Sequence, residues 1–202
     1  MGLSKLVVKY CQGNPLALVV LGCFLYGRGK EEWESALDKL NQTPSKDIID
    51  VLKLSFDVLD DKQPNLFLDL AFLINARVYR SFDQIRQLYG SSVHIEMSVL
   101  RERSLISVSQ KDKIGMHDLV LQMGFEIARQ QLFPSPKTPV RLWRHDDIYD
   151  FLICDKEIEA IRCMSLDASK IERIKLRASN FRKMYNLIFL KVYKSDREKL
   201  QS

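Results

Sequence analysis

The sequence predicts a mostly α-helical fold: a helical bundle, then a winged-helix-like domain with a short β-hairpin, then the start of an α/β repeat region. Three observations predict it. Apolar residues make up 46% of the 202 residues against only eight Gly and six Pro, the balance of a helix-rich globular chain. Apolar positions recur at helical spacing in one segment after another, with Ser, Asp or Asn at many starts and Gly at several ends. One stretch breaks that rhythm. Leu105 to Ser109 alternates like a strand, Gln110 to Lys113 is a polar turn, and helical spacing resumes at Leu119, Val120, Met123, Ile127 and Ala128. The parts run over residues 1–59 (bundle), 60–133 (winged-helix-like), 134–150 (linker and short helix) and 151–202 (repeat start).

Ser4 to Gln12 reads as a helix with Leu6, Val7, Tyr10 and Cys11 on its apolar side, stopped by Gly13. Asn14 caps the next helix, and Pro15 takes its first position, where a missing N–H costs nothing. Pro15 to Tyr26 is apolar nearly all round, which predicts a central, buried helix. Amphipathic helices follow over Glu31 to Leu40 and Ile48 to Leu59. Asp60 and Asp61 are expected to cap Lys62 to Ile74; Ser81 caps Phe82 to Tyr89, which Gly90 stops; Ser92 to Arg103 is the next helix. Asp118 stands where an N-cap is wanted for a helix to Leu132. Pro134, Pro136 and Pro139 form a linker, order resumes at Val140 to Trp143, and a helix spans about His145 to Ile153. Strand-like pieces lie near Ile161 to Leu166 and Leu187 to Val192. Leu187-x-x-Leu190-x-Val192 fits the start of a leucine-rich repeat, and Ile171-x-x-Ile174-x-Leu176 echoes it. Two units bury no solenoid core, which takes about three repeats, so a truncated repeat domain is expected.

The net charge of +5 is unevenly spread. From Lys170 onward ten Lys and Arg face three acids, so the first 169 residues are slightly acidic. That argues against a winged helix that grips DNA phosphates, although helix-turn-helix relatives make DNA binding the natural rival. Of the four cysteines, none forms a C-x-x-C pair, and Cys11 and Cys23 sit among apolar residues, which reads as packed, reduced thiols. The longest apolar run, Pro15 to Tyr26, falls short of the roughly 20 residues of a membrane span, and no signal peptide opens the chain.

Motifs for chemistry are sparse. Gly22 to Gly29 has the glycine spacing of a phosphate loop but lacks Lys and Ser/Thr, and it ends a helix. Asp69 follows an apolar run, yet helical spacing continues through it, so it reads as an outward acid on a core helix. His94, His117 and His145 have no ligand-spaced partners for a metal, and no nucleophile dyad is recognisable, so no enzyme is expected. His117 is the distinctive one. It stands between a strand and a helix N-terminus, where an imidazole and free N–H groups can face an anion. The plain alternative is a turn histidine beside a cap.

Gly13-Asn14-Pro15-Leu16-Ala17-Leu18, Phe67-Leu68-Asp69-Leu70-Ala71 and Met116-His117-Asp118, in this order and spacing, resemble the C-terminal part of the nucleotide-binding (NB-ARC) module of plant disease-resistance receptors. The likeness is greatest to the class with an N-terminal Toll/interleukin-receptor domain, and it runs from about Leu3 to Tyr193. Asn14 departs from the pattern, which often has leucine there. The resemblance implies ADP/ATP as the cofactor of the intact receptor. Gly13, Pro15 and Leu16 would lie on the adenine-ribose side, His117 on the β-phosphate of ADP, and Asp118 beside it. It implies that the phosphate loop and magnesium aspartate lie upstream, so this chain alone should bind ADP weakly or not at all. The implied partners are the upstream nucleotide-binding and Toll/interleukin-receptor domains, a pathogen effector or guarded host protein at the leucine-rich repeats, and further copies on activation. No membrane or nucleic acid is implied, and the expected location is the cytoplasm or nucleus. The alternative is a truncated interaction or regulatory fragment without nucleotide chemistry.

Overall fold

The computed structural model describes residues 2–11, 13–40, 46–60, 62–78, 81–132, 138–153, 158–169 and 178–194. Asp61, Pro134, Pro136, Cys154 and the Ile171 to Leu176 echo lie outside them. The chain divides into two compact units, Met1–Glu126 and Ile127–Ser202.

The first unit opens with α1 (Leu3–Cys11), α2 (Pro15–Leu25), α3 (Lys30–Leu40) and α4 (Lys46–Asp57). Gly13 turns the chain at φ +77°, and Asn14 caps α2 by accepting from the Ala17 N–H at 2.9 Å. Ala17, Val20, Leu21 and Leu25 of α2 pack inward, against Val7 and Cys11 of α1 and Ile48, Leu52 and Phe56 of α4 within one core. The Trp33 indole N–H closes the α2–α3 turn on the Leu25 carbonyl at 3.0 Å. The expectation that α2 is buried all round fails: Leu18 is 44% and Val19 63% exposed. Helices α1 and α4 pack against α2, and the outer face carrying Leu18 and Val19 stays exposed among the described residues despite its apolar composition.

Cys23 lies on this outer face, so the reading of Cys23 as a packed thiol is also corrected, while Cys11 and Cys163 are buried. Burial pushes the Cys11 thiol above its ordinary value, which suppresses the reactive thiolate. In the native chain, maleimide should label Cys23 while Cys11 and Cys163 stay unmodified until denaturant opens the fold. Mass spectrometry of digested, partly labelled protein checks this; early labelling of Cys11 would contradict the packing.

The rest of the first unit is built on α5 (Gln63–Asn75), in which Leu66 through Leu73 are all buried. Its N-cap position is Lys62, with no side-chain cap; Pro64 sits in the first turn, and Gln63 Oε1 accepts from the Asp60 N–H at 3.1 Å. The N-cap position thus falls at Lys62 and not at Asp60, and Asp61 of the expected cap lies outside the described residues. Around it lie α6 (Phe82–Tyr89) and α7 (Val93–Glu102). Ser81 and Gln84 form a reciprocal capping box on α6, and Gly90 ends that helix at φ +82°. Strands β1 (Ser107–Val108) and β2 (Ile114–Gly115) pair antiparallel. The wing's first strand is shorter than the alternation of Leu105 to Ser109 predicts. Leu105 and Ile106 both donate their N–H groups to the Leu100 carbonyl and bury their side chains, so they close α7 instead of pairing. Helix α8 (Asp118–Gln130) follows, and Gly124 lets it approach α5, since a Cβ there would meet Ala71 at 3.1 Å and Phe67 at 3.3 Å.

The second unit holds a parallel sheet in chain order: β3 (Val140–Leu142), β4 (Ile161–Asp167) and β5 (Phe189–Tyr193). Helix α9 (His145–Ile153) connects β3 towards β4, and α10 (Ala178–Lys183) precedes β5. Val140, Leu142, Ile148, Phe151, Ile161 and Met164 share one core, so the stretch expected as linker and short helix supplies it with a strand and a helix. Leu190 and Val192, the apolar positions of the repeat-like motif, are 38% and 56% exposed.

Candidate functional site

The site forms where the α1–α2 turn meets the winged-helix portion of the same unit. Tyr10 lies in the last turn of α1, so its carbonyl has no partner inside that helix. His117 supplies one: its Nε2 lies 2.9 Å from the Tyr10 carbonyl oxygen. The other ring nitrogen, Nδ1, accepts from the Leu119 N–H at 3.2 Å, one of the free donors in the first turn of α8. A backbone N–H can only donate and a carbonyl can only accept. The ring is therefore the neutral tautomer with its proton on Nε2, and Nε2 donates to Tyr10. One donor and one acceptor on a rigid ring match a carbonyl at a helix C-terminus and an N–H at a helix N-terminus. The Tyr10 ring packs edge-on against the imidazole, with centroids 5.8 Å apart at 71°.

This geometry corrects the cap assignment. The His117 carbonyl accepts from the Leu121 N–H at 2.9 Å, so His117 holds the cap position and Asp118 is the first helical residue. The reason is chemical: imidazole Nδ1 reaches the first-turn N–H itself, leaving Asp118 exposed, where its charge still favours the helix N-terminus. The Asp118 carboxylate is close enough to matter to Tyr10. Burial pushes the Tyr10 phenol above its ordinary value, and the charges of Asp118 and Cys11 push it the same way.

The five residues singled out in the sequence thus fall on the two sides of one junction. Gly13 and Pro15 are exposed and Leu16 half-buried on the turn and start of α2; His117 is buried and Asp118 exposed at the start of α8. These five residues include one imidazole N–H and no Lys or Arg. Tyr10 was missed in the sequence. The last turn before a Gly13 stop offers carbonyl acceptors, but the partner of this one is 107 residues away.

Asp69 is not the outward acid that helical spacing predicts. It is fully buried and accepts the Tyr89 hydroxyl proton at 2.7 Å, because α5 has no outward face along Leu66 to Leu73. His94 packs its ring on Phe82 at 4.5 Å between centroids.

The helices α5 to α8 with the β1–β2 wing define a winged-helix domain, and residues 60–132 match the model of the winged-helix domain of Roq1-like disease resistance proteins. Matches to curated proteins extend along nearly the whole chain. It is 39% identical over 193 residues to disease resistance protein RUN1 of Vitis rotundifolia, covering 96% of this chain and 14% of that protein. It is 41% identical over 191 residues to disease resistance protein RPV1 of Vitis rotundifolia, covering 94% and 13%. It is 34% identical over 207 residues to disease resistance-like protein DSC1 of Arabidopsis thaliana, covering 96% and 17%. The chain belongs to the plant disease resistance proteins, and it spans about a seventh of the length of these relatives. Among the described residues no helix is long and apolar enough to cross a membrane.

Proposed function

We propose that this segment is the lid side of a nucleotide switch in a plant immune receptor, with His117 as the residue that reads a phosphate. One observation carries the reading. The histidine that the resemblance assigns to the β-phosphate ties the last turn of α1 to the first turn of α8, and so holds the helical bundle and the winged helix together. Nδ1 is committed to Leu119, so Nε2–H is the ring's available donor. A phosphate oxygen would take that proton from the Tyr10 carbonyl, and nucleotide state would alter the grip of one subdomain on the other. Gly13, Pro15 and Leu16 would border the adenine-ribose end, and Asp118 would keep α8 started.

Magnitudes limit what the chain does alone. One charged hydrogen bond contributes about 1.5–3 kcal/mol, whereas micromolar affinity needs roughly 8 kcal/mol. Moving a two-state equilibrium from about 1:99 to 99:1 takes roughly 5.5 kcal/mol of differential binding, so subdomain packing must share the work. In the intact receptor, ADP would hold the resting arrangement, and exchange for ATP would promote signalling and assembly with further copies. Upstream nucleotide-binding and Toll/interleukin-receptor domains would complete the module. The parallel order β3–β4–β5 supports reading the second unit as the start of leucine-rich repeats, which would receive the effector or guarded host protein. The receptor would act in the cytoplasm or nucleus, and none of the residues named here is assigned a catalytic role.

Calorimetric titration of ADP tests the reading. The chain alone should show no binding up to about millimolar ADP, roughly 4 kcal/mol. With the upstream nucleotide-binding segment of a related receptor added, binding should appear, and His117→Ala should weaken it by about 10- to 100-fold. No binding in either sample would leave an interaction fragment without nucleotide chemistry.

A further inference from the structure

We propose that Asn14 is a second bolt between the helical bundle and the winged helix, independent of His117 and opposite to it in polarity. All four polar groups of Asn14 are engaged. Its backbone N–H donates to the Cys11 carbonyl at 2.7 Å and its carbonyl accepts from the Leu18 N–H at 3.1 Å. Its Oδ1 caps α2 through the Ala17 N–H at 2.9 Å, which fixes the orientation of the amide. The remaining group, Nδ2, then donates to the Ser104 carbonyl at 3.0 Å, 90 residues away.

Ser104 is placed to receive it. It ends α7 with φ +58°, a left-handed conformation uncommon for a residue with a side chain, and its own N–H is used on the Arg101 carbonyl at 2.9 Å. The turn from Tyr10 to Asn14 is therefore gripped twice, from two parts of the winged helix. At its start Tyr10 offers an acceptor to His117 of α8; at its end Asn14 offers a donor to the close of α7. The bolt goes beyond the nucleotide reading. A ligand that captured the His117 proton would break one grip and leave the other, so in this chain the winged helix stays seated until Asn14 also lets go. Only that last consequence rests on the switch reading.

The experiment uses the whole chain, labelled with nitrogen-15 and free of nucleotide, so its result does not depend on whether ADP binds. Asn, Asp and Ser are about equal as N-caps, but Asp has no donor for Ser104 and Ser is too short to reach it. Exchange of the His117 Nε2 proton reports opening of the junction, and exchange of the Ala17 amide reports the cap. Asn14→Asp and Asn14→Ser should both speed exchange at His117 by about tenfold, the factor of one net hydrogen bond, while Ala17 stays protected. The neutral serine variant guards against a folding defect caused by the charge of aspartate. His117 exchange at the wild-type rate in either folded variant overturns the proposal. So does faster exchange at His117 that appears only together with loss of protection at Ala17, which would make Asn14 a cap and nothing more.

Discussion

Phe67→Ala is expected to lower the unfolding free energy of the first unit by about 3–5 kcal/mol, the cost of deleting a large aromatic from a core that cannot collapse on the space. Phe67 is fully buried in α5 and joins three helices. Its ring meets Phe56 of α4 with centroids 5.4 Å apart, and its far edge fills the space beside Gly124 of α8. Domains of this size are stable by only about 5–15 kcal/mol, so the change removes a large share of the total. It also falls on the packing that joins the helical bundle to the winged helix. Urea denaturation checks it. Trp33 lies in the first unit and Trp143 in the second, so a Trp143→Phe background makes fluorescence a report on the first unit alone. A midpoint within about 0.5 kcal/mol of the parent, the range of ordinary surface substitutions, would show that Phe67 does not hold these helices together.

What could be read from the sequence was what short range decides. Asn14 before Pro15, Ser81 before Phe82, Gly13 and Gly90 as stops, and the polar turn before Ile114 all act through neighbours within four residues, and each stands in the structure as expected. Readings failed where a distant partner decides. Apolar composition made α2 look central, but burial depends on how many helices surround it, and Leu18 and Val19 face outward. Helical spacing made Asp69 look like an outward acid, but a helix enclosed on all sides turns every residue inward, and Tyr89 satisfies the carboxylate. The three residues Val140 to Leu142 are too few to show an alternation, and become a strand only by pairing with β4. The site divides the same way. Positions 117 and 118 were marked by local pattern, whereas the bond to Tyr10 and the passing of the cap from Asp118 to His117 depend on contacts and geometry that spacing does not encode.

His117→Ala should cost the nucleotide-free chain about 1–3 kcal/mol, because it removes two hydrogen bonds at the junction, at roughly 0.5–1.5 kcal/mol each. Both lost bonds, to the Tyr10 carbonyl and from the Leu119 N–H, lie between helix ends whose partial charges favour them. The effect separates two views of the residue. A histidine held out for a ligand would do nothing before the ligand arrives, and its removal would leave stability within about 0.5 kcal/mol of the parent. A histidine that closes the junction contributes its stability at once, with or without a ligand. His117→Phe sharpens the test, since it retains an aromatic ring against Tyr10 and loses both bonds. If phenylalanine costs nearly as much as alanine in the Trp33 denaturation assay, hydrogen bonding at two helix ends carries the junction. If it restores most of the loss, packing against Tyr10 carries it, and the imidazole is then dispensable to the closed state and free for a ligand.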